Sequence, residues 1–423
     1  MTPPVAPAPA TASRPAPAAL PPLIILGASV RALAQSAQLA GWGVYAADLF
    51  GDTDLRKAAV CAQRVGLPGD FNRYPDGLAA AADTFPAGPW CYSGALENYP
   101  DLIDCIAADR PLAGNAGAVV KRVRDPRELS SALREAGLLF PTTQFLPDTI
   151  PIDGSWVIKP TASAGGRGIQ RWTKQTAATH QATDSNSRQS IPVWQEWIEG
   201  LSFSAAFLLS AGAVEIFCLS WQLVGLPWCH CQPHAYCGSI NLSLADLPIF
   251  WRQQLDKVGA LLAAHFGLIG LIGVDLVVDA DGRLVVIEVN PRPTASMELG
   301  ERSTGRSLAA SHLSASGFCS PAPHAPLMPP TRGLQHWAKS ILFSQDTCTI
   351  TAGLLDRLLD MASQWPDADK AWPLLADLPE PDQLVPVGAP VLTIFACQPM
   401  AATALQTLIL RAQRIDEVLA ATR

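Results

Sequence analysis

The sequence is short of charged residues, which occupy only 16 % of its 423 positions, whereas hydrophobic residues occupy 49 %. A chain of this composition folds around a core and is not disordered. Its length allows about two to four domains. An excess of positive charge is also missing, because the formal net charge is −7. We therefore expect no nucleic-acid partner.

Long apolar runs are missing as well. No uncharged apolar run approaches the ~20 residues that a membrane helix needs, and the N-terminus lacks the basic start and apolar run of a signal peptide. The ten cysteines have no framework spacing, which is typical of reduced thiols. The sequence therefore predicts a soluble cytoplasmic protein without a membrane partner. Residues 1–22 are rich in Pro and Ala, which predicts a disordered or polyproline-like tail.

Two common nucleotide-binding loops are absent. There is no Gly-x-Gly-x-x-Gly fingerprint and no loop closed by Gly-Lys-Ser/Thr. Near the start, an apolar run at 23–26, a helical stretch and a second apolar run at 44–47 predict a strand–helix–strand unit with a parallel sheet. Glu97 and Asn98 follow a later predicted strand, where they could contact a ligand or cap a helix. Both interpretations stay open.

A predicted hairpin carries the strongest chemical signal. Asp281-Gly282 separates two apolar runs and favours a two-residue type I′ turn. That register places Asp275 opposite Glu288, where two carboxylates would repel each other. Asn290 points to the same face, so the three side chains form a set of oxygen ligands suited to magnesium. The alternative is a half-exposed hairpin whose acidic residues have no common role.

Two further segments precede the hairpin. Lys159 ends an apolar strand and is followed by a glycine-rich loop at 161–168, whose backbone N–H groups could approach phosphate oxygens. The strand near 193–198 ends in polar groups and could line an adenine pocket. By itself, this second segment fits an amphipathic edge strand better than an adenine pocket.

Soft ligands cluster between residues 229 and 237, where three cysteines and two histidines fall within nine positions. The spacing is too compressed for a usual structural zinc site, and no second Cys pair follows at the expected distance. Three interpretations remain: a metal site, ordinary packing of the cysteines, or a loop over an acceptor site. In the last case Tyr236, Gly238 and Ser239 would lie near the substrate.

The order of these motifs resembles the ATP-grasp superfamily. The lysine strand with its glycine loop comes first, followed by Gln195-Glu196-Trp197-Ile198-Glu199-Gly200 and then the Asp…Glu-x-Asn-x-Arg hairpin. Within the superfamily the chain is most similar to a branch of predicted carboligases related to biotin carboxylase. Glu97-Asn98, Arg124-Asp125-Pro126 and Ala295-Ser296-Met297-Glu298 carry that narrower likeness.

The resemblance implies a fold of mixed α/β and α+β class. An N-terminal parallel-sheet domain would precede a two-subdomain ATP-grasp fold and a small C-terminal module. The expected boundaries are a tail at 1–22, the first domain at 23–120, the ATP-grasp domain at 121–319, a linker at 320–332 and the C-terminal module at 333–423.

The resemblance also implies the roles of individual residues. Lys159 would contact the α and β phosphates, and Arg292 would stabilise the transferred phosphoryl group, so that both act in catalysis. Asp275, Glu288 and Asn290 would hold Mg²⁺, or Mn²⁺ as a substitute. The ATP contacts would come from Lys159, Ser163, Gly165, Gly166 and Gly168, and from Gln195, Glu196, Trp197, Ile198 and Glu199, with Glu196 and Ile198 at the adenine edge. The substrate would lie near Gly27, Ser29, Arg31, Glu97, Asn98, Tyr236, Gly238 and Ser239.

Two features depart from the superfamily pattern: the acid expected a few residues after the adenine strand appears as Ser202 or is displaced to Glu199, and the first ATP lysine is missing. Members usually carry an earlier ATP lysine in an Asp-Lys pair, but here that region reads Arg122-Val123-Arg124-Asp125-Pro126-Arg127. Lys121 or one of these arginines would have to replace it.

The reaction implied by the resemblance is ATP-dependent ligation of a small carboxylate to an amine through an acyl phosphate. Its setting could be amino-acid ligation in cofactor biosynthesis. A carboxylase-type enzyme that activates bicarbonate would use the same ATP residues, and a non-catalytic nucleotide-binding protein is a third alternative. A homodimer is left open.

Overall fold

The computed structural model describes residues 20–66, 73–183, 192–319, 335–368 and 372–421. Within these ranges the chain forms a parallel sheet, two antiparallel sheets and a two-stranded ribbon, with helices packed against them. The expected tail lies outside the described residues except for its last three positions, and the expected linker at 320–332 lies outside them entirely. No helix in the described ranges is long and apolar enough to cross a membrane.

The first sheet is parallel, in the order β3-β2-β1-β4. Its strands are β1 Pro22–Leu26, β2 Gly43–Asp48, β3 Cys61–Arg64 and β4 Trp90–Tyr92, and its helices are α1 Arg31–Leu39, α2 Thr53–Ala58, α3 Leu78–Thr84 and α4 Pro100–Asp109. Four consecutive side chains of β1, Leu23 to Leu26, are completely buried. A strand covered on both faces needs such a continuous apolar run. The predicted strand–helix–strand unit is therefore confirmed.

Two antiparallel sheets follow. The smaller has the order β5-β8-β6-β7, and the larger has eight strands in the order β13-β12-β9-β10-β11-β14-β18-β16. Their strands up to residue 290 are β5 Thr143–Gln144, β6 Asp153–Pro160, β7 Gln170–Thr173, β8 Pro192–Glu196, β9 Gly200–Ser210, β10 Ala213–Val224, β11 Tyr236–Leu242, β12 Gly270–Asp279 and β13 Leu284–Asn290. The helices of this region are α5 Gly117–Arg124, α6 Pro126–Glu135, α7 Lys174–Thr183, α8 Ile249–Ala264, α9 Met297–Thr304 and α10 Leu308–Ala315. The predicted α/β and α+β fold class is confirmed.

The C-terminal region contributes strands to the large sheet. It contains β14 His336–Phe343, β15 Cys348–Ile350, α11 Ala352–Ser363, β16 Leu375–Ala376, β17 Gln383–Val385, β18 Pro390–Gln398 and α12 Ala401–Ala420. β14 pairs with β11 and β18 pairs with β14, so the sheet runs without a break into this region. The boundary proposed at residue 333 stays a prediction, and the hydrogen-bonded sheet crosses it.

The turn of the β12–β13 hairpin differs from the prediction. Asp279 N–H donates to the Arg283 carbonyl at 3.0 Å, which leaves three residues in the loop, and Gly282 adopts a φ of +75°. This is a three-residue loop with its last residue in the left-handed region, not a two-residue type I′ turn. A bulge between Asp275 and Leu276 then shifts the register back by one residue. Asp275 consequently still faces Glu288, as predicted.

The apolar periodicity of residues 249–266 predicts a helix whose buried face includes Phe250, and this helix forms as α8, but Phe250 is exposed. Leu255, Val258 and Leu262 are buried, whereas Phe250 keeps 49 % of its surface accessible. Phe250 lies in the first turn of α8, whose buried residues begin only at Leu255. The apolar periodicity alone therefore overestimated the buried face by one turn.

His312 connects two layers of the fold and should make stability depend on pH. Its Nδ1 accepts from Leu271 N–H at 2.9 Å, and its Nε2 lies 3.1 Å from the Ala113 carbonyl. Burial lowers the pKa of His312 to about 4, against about 6.5 in an unfolded chain. Between these values only the unfolded chain binds the proton, so this contribution to stability is complete above pH 6.5 and is lost as the pH falls towards 4.

We expect His312→Gln to remove about 2 kcal/mol of the stability difference between pH 7 and pH 5. Urea unfolding at the two pH values measures this difference. His265→Gln is the matched control because its side chain is 42 % exposed. An unchanged pH dependence in His312→Gln would contradict the assignment.

Candidate active site

The predicted metal ligands lie together on one face of the β12–β13 hairpin. Asp275 and Glu288 are directly paired across it, and Asn290 donates from its amide to Asp275 Oδ2 at 3.0 Å. Gln222 on β10 donates to the other oxygen of Asp275 at 2.7 Å. Burial, and then the Glu288 carboxylate, raise the pKa of Asp275 to about 6. The two acids therefore repel each other as the register predicted.

Two side-chain cations balance the charge of Glu288. Lys159 at the end of β6 donates to Glu288 Oε2 at 2.8 Å, and Arg124 at the end of α5 donates to Oε1. Burial opposes ionisation of Glu288, but Lys159 and Arg124 outweigh it and hold the pKa of this carboxyl well below its usual value. From the sequence, only a metal ion was expected to compensate these charges. The structure shows that Lys159 and Arg124 also supply it.

The donor set suits a hard cation. Two carboxylates and one amide oxygen provide three oxygen ligands, and Mg²⁺ completes its shell with water and phosphate oxygens. In the described ranges no group of three or more His, Cys, Asp or Glu side chains could hold a metal ion. Any metal at Asp275 and Glu288 would therefore depend on Asn290, water or a ligand for its remaining contacts.

Arg124 is the basic residue of its region that enters the site. Lys121 pairs with Asp101 and is 53 % exposed, and Arg122 pairs with Glu128 and is 45 % exposed. Arg124 is only 13 % exposed and also donates to Asn98 Oδ1 at 3.0 Å. The sequence left the choice between these three residues and Arg127 open, because all four lie within seven consecutive positions.

The glycine loop between β6 and β7 is held over these cations from two sides. The Asn98 amide donates to the Ser163 carbonyl at 3.2 Å, and Tyr236 N–H donates to the Gly165 carbonyl at 3.1 Å. Gly166 has a φ of +76°, and a Cβ there would lie 2.0 Å from the His234 carbonyl oxygen. Only glycine fits this close approach of the backbones. Gly168 closes the loop against Pro160.

Arg292 and Glu97 form a buried bidentate ion pair. Arg292 donates from Nε to Glu97 Oε2 at 2.7 Å and from Nη2 to Oε1 at 2.5 Å. The same Nη2 lies 3.3 Å from Asn290 Oδ1. Glu97 was predicted to contact substrate, and the structure shows that it orients the predicted catalytic arginine.

The predicted adenine segment, residues 195–199, begins in the last two residues of β8 and continues beyond the strand. Glu196 and Trp197 donate their backbone N–H groups to the Thr142 and Ser155 carbonyls, at 2.8 and 2.9 Å. Gln195 is buried and bonds to Thr143, so its side chain faces the sheet. Ile198 follows the strand, and its contact with an adenine edge stays a prediction.

The Trp197 ring lies against two neighbours. The Arg171 guanidinium lies 3.7 Å from the centre of this ring, and the His234 ring packs against it at 5.3 Å. Arg171 also bonds to Glu199, whose side chain is 78 % exposed.

The residues expected near the substrate are not all brought together. Ser29 is exposed in the loop after β1, whereas Gly27 packs so closely that a Cβ would lie 2.7 Å from the Ser93 carbonyl oxygen. Arg31 is buried and pairs with Glu298 at 2.5 Å and with Asp377 at 2.8 Å. These bonds occupy its guanidinium, so Arg31 joins α1 to α9 and to the segment that follows β16. Contact with substrate was expected from the sequence.

A polar row across the large sheet was missed by sequence analysis. Pairing across β10, β11 and β14 aligns Gln222, Ser239 and Lys339 on the sheet face that carries Asp275. Lys339 is buried and donates to Glu298 at 3.0 Å. Tyr236 bonds to Ser239 at 2.9 Å, and Gly238 lies against the backbone of Lys339. Lys339 within the largely apolar sequence of β14 was the one feature from which this row could have been predicted.

The two antiparallel sheets, with a glycine loop and a carboxylate pair between them, define an ATP-grasp arrangement. Residues 123–296 match the family model of the ATP-grasp domain. The chain therefore carries an ATP-grasp domain, and the predicted resemblance is confirmed. Among curated proteins, no sequence matches the chain.

Solved structures with this fold cover nearly the whole chain. N5-carboxyaminoimidazole synthetase from Staphylococcus aureus has a TM-score of 0.63 at 15 % identity, covering 93 % of this chain and 97 % of that one. L-amino acid ligase from Bacillus licheniformis has a TM-score of 0.64 at 16 % identity, with coverages of 94 % and 97 %. Biotin carboxylase from Campylobacter jejuni has a TM-score of 0.65 at 14 % identity, with coverages of 91 % and 89 %. At these identities the likeness shows a common fold.

Proposed function

We propose that the protein is an ATP- and Mg²⁺-dependent ligase that joins a small carboxylate to an amine through an acyl phosphate. The observation that carries this proposal is the meeting of Lys159 and Arg124 on Glu288, directly across the hairpin from Asp275. Two cations and two carboxylates beneath a glycine loop match the charges of a magnesium–triphosphate complex.

In the proposed site, Lys159 and Arg124 take phosphate oxygens as their acceptors and leave Glu288 free for the metal. Asp275, Glu288 and Asn290 would hold the ion, which when bound neutralises charge on the phosphate oxygens. The glycine loop from Ser163 to Gly168 supplies backbone N–H groups to the triphosphate. The chain thus provides positive charge where negative charge develops.

The chemical steps need no protein nucleophile. A carboxylate oxygen of the substrate attacks the γ-phosphorus, the bond to the bridging oxygen breaks and ADP leaves. The amine nitrogen then attacks the carbonyl carbon, loses a proton and expels phosphate. Arg292, fixed by Glu97 and lying beside Asn290, is placed to stabilise charge on the transferring phosphoryl group.

Bicarbonate activation through carboxyphosphate is the second candidate. It would use the same ATP residues, and similar folds occur in N5-carboxyaminoimidazole synthetase and biotin carboxylase. A non-catalytic nucleotide-binding protein is a third possibility, but it would not need a buried arginine–glutamate pair beside the metal ligands. The cytoplasmic location, the use of Mn²⁺, a homodimer and the link to cofactor biosynthesis stay predictions.

An ADP-release screen over carboxylates, amines and bicarbonate tests the proposal. We expect release only when a carboxylate and an amine are both present, and a fall of about 10²–10³-fold in the double variant Asp275→Asn/Glu288→Gln. Asp281→Asn is the control, because this carboxylate lies 72 % exposed at the tip of the same hairpin. Wild-type turnover in the double variant would refute the metal assignment. Activity with bicarbonate in place of an organic acid would favour the carboxylase candidate.

A further inference from the structure

The Asn98 side chain contacts two elements of the proposed ATP site. Its oxygen accepts from Arg124 Nη2 at 3.0 Å, and its amide nitrogen donates to the Ser163 carbonyl at 3.2 Å. Arg124 ends α5, and Ser163 opens the glycine loop. The two partners lie 26 and 65 positions from Asn98 in the sequence. The sequence suggested that Asn98 contacts substrate, and the proposed reaction assigns it no part.

The chemistry of these two partners fixes the orientation of the Asn98 amide. A guanidinium only donates hydrogen bonds and a carbonyl only accepts them, so the Asn98 oxygen must face Arg124 and its nitrogen must face Ser163. An aspartate at this position would keep the contact with Arg124 but would turn an acceptor towards the Ser163 carbonyl. Among side chains of this length, only the amide satisfies both partners.

The backbone that carries Asn98 is held by contacts of its own. Leu96–Asn98 form one turn of 3-10 helix after β4, and Asn98 N–H donates to the Ala95 carbonyl at 3.2 Å. The neighbouring Glu97 side chain is buried in its ion pair with Arg292. The position of Asn98 therefore does not depend on the glycine loop, and the side chain can act as a fixed anchor for it.

Arg124 meets its partners with two different nitrogens. Nη1 donates to Glu288, and Nη2 donates to Asn98. Because the guanidinium is planar and rigid, a partner that holds Nη2 also fixes the direction of Nη1. In the proposed function, Arg124 exchanges Glu288 for a phosphate oxygen. That exchange uses Nη1 and leaves the contact between Nη2 and Asn98 in place.

The glycine loop needs contacts from outside to stay closed. Its glycines at 165, 166 and 168 have φ values between +63° and +78°. Ordering a glycine-rich segment costs much conformational entropy. Asn98 holds the loop at the Ser163 carbonyl, and Tyr236 N–H holds it at the Gly165 carbonyl at 3.1 Å. Loss of either hydrogen bond should therefore shift the loop towards open conformations.

We propose that Asn98 is a positioning residue for ATP, which directs Arg124 towards the phosphates with its oxygen and holds the glycine loop closed over them with its amide nitrogen. The same side chain thereby couples the arginine to the closed loop, because a displacement of one contact disturbs the other. The effect on ATP rests on the proposed function, whereas the anchoring of the loop does not.

Hydrogen exchange without nucleotide tests the anchoring of the loop. Asn98→Asp keeps an acceptor for Arg124 but cannot donate to the Ser163 carbonyl. We expect the backbone N–H groups of residues 163–169 to exchange up to about tenfold faster in this variant than in the wild-type protein, because one hydrogen bond that closes the loop is lost. Asp101→Asn is the matched control, since this side chain on α4 is 90 % exposed. Equal exchange in Asn98→Asp and the wild-type protein would overturn the proposal.

The same experiment separates opening of the loop from a general loss of stability. β9 lies inside the large sheet, between β12 and β10, so its N–H groups report opening of the whole fold. We expect β9 to exchange at the same rate in Asn98→Asp, Asp101→Asn and the wild-type protein. Faster exchange of β9 together with the loop would assign the effect to global unfolding and would overturn the anchoring role.

The kinetics of ADP release test the role in ATP binding. We expect Asn98→Asp to raise the KM for ATP about tenfold and to change kcat less than about threefold, because a contact that holds ATP equally in the ground state and the transition state affects KM alone. Asn98→Leu also leaves Arg124 without its oxygen acceptor, so its KM should rise further. Asp101→Asn should keep both constants.

Two results would contradict the role in ATP binding. An unchanged KM in Asn98→Asp, together with faster exchange of the loop, would show that the anchored loop does not serve ATP. A fall in kcat at constant KM would place Asn98 in the chemical step and not in positioning of the nucleotide. Failure of the wild-type protein to bind ATP would refute the proposed function instead, and the exchange rates would still decide whether Asn98 anchors the loop.

Discussion

Arg292→Lys is expected to lower kcat by about 10²–10³-fold while leaving the KM for ATP nearly unchanged. Removing one preorganised donor from a developing negative charge costs this much in other enzymes. Arg292 places two guanidinium nitrogens on Glu97 and one of them beside Asn290. Lysine keeps the positive charge but has no planar fork, so it cannot make both contacts.

Steady-state ADP release measures this effect, with Arg283→Lys as the matched control. Arg283 lies at the tip of the same hairpin, pairs with Asp279 and is 57 % exposed. Urea unfolding of both variants separates a catalytic loss from a loss of fold, because breaking a buried pair can also destabilise the protein. If Arg292→Lys lost stability but kept its kcat, the Arg292–Glu97 pair would be structural only.

The second large effect is on stability. Arg31→Met should lower the free energy of unfolding by about 3–5 kcal/mol, the usual cost of leaving a buried charge without its partner. Arg31 is buried, with 2 % of its surface exposed. Its guanidinium bonds to Glu298 of α9 and to Asp377 next to β16. Asp54 of α2 lies 3.7 Å away and would lose the same cation.

Arg306→Met is the control for this measurement. The Arg306 side chain is 41 % exposed, so its ion pair with Glu215 should contribute less than about 1 kcal/mol to the free energy of unfolding. The double variant Arg31→Met/Asp377→Asn should recover part of the loss, since it removes one of the stranded charges. A role of Arg31 in substrate binding would give a different result: unchanged unfolding in Arg31→Lys together with a raised KM for the carboxylate or amine.

Much of the candidate site could be predicted because its signals are local in sequence. Asp275, Glu288 and Asn290 share a face through strand alternation, and Lys159 with its glycine loop lies within ten consecutive residues. The pairing of Asp275 with Glu288 was predicted from the wrong turn. It holds because the bulge after Asp275 offsets the extra residue of the loop.

The residues that sequence analysis misassigned or missed act over long distances in the chain. Arg31 and Asp377 are 346 positions apart, and Arg292 and Glu97 are 195 apart. No local pattern predicts such a pairing, because the residues next to a charged residue in the sequence do not indicate which distant residue will contact it. Lys339 likewise became visible as part of the polar row only once β14 was paired with β11.

The sequence by itself determined the elements of this protein and the chemistry that some of them carry. Hydrophobic periodicity set the strands, and the Asp125-Pro126 pair set the start of α6, since local rules of burial and capping act within a few residues. Only the tertiary structure decided which cations meet Glu288, which acid holds Arg292 and which acids hold Arg31. A buried charged side chain is stable only beside an opposite charge or a hydrogen-bond partner. These side chains become buried only when the sheets pack together, so their partners are set at that stage of folding.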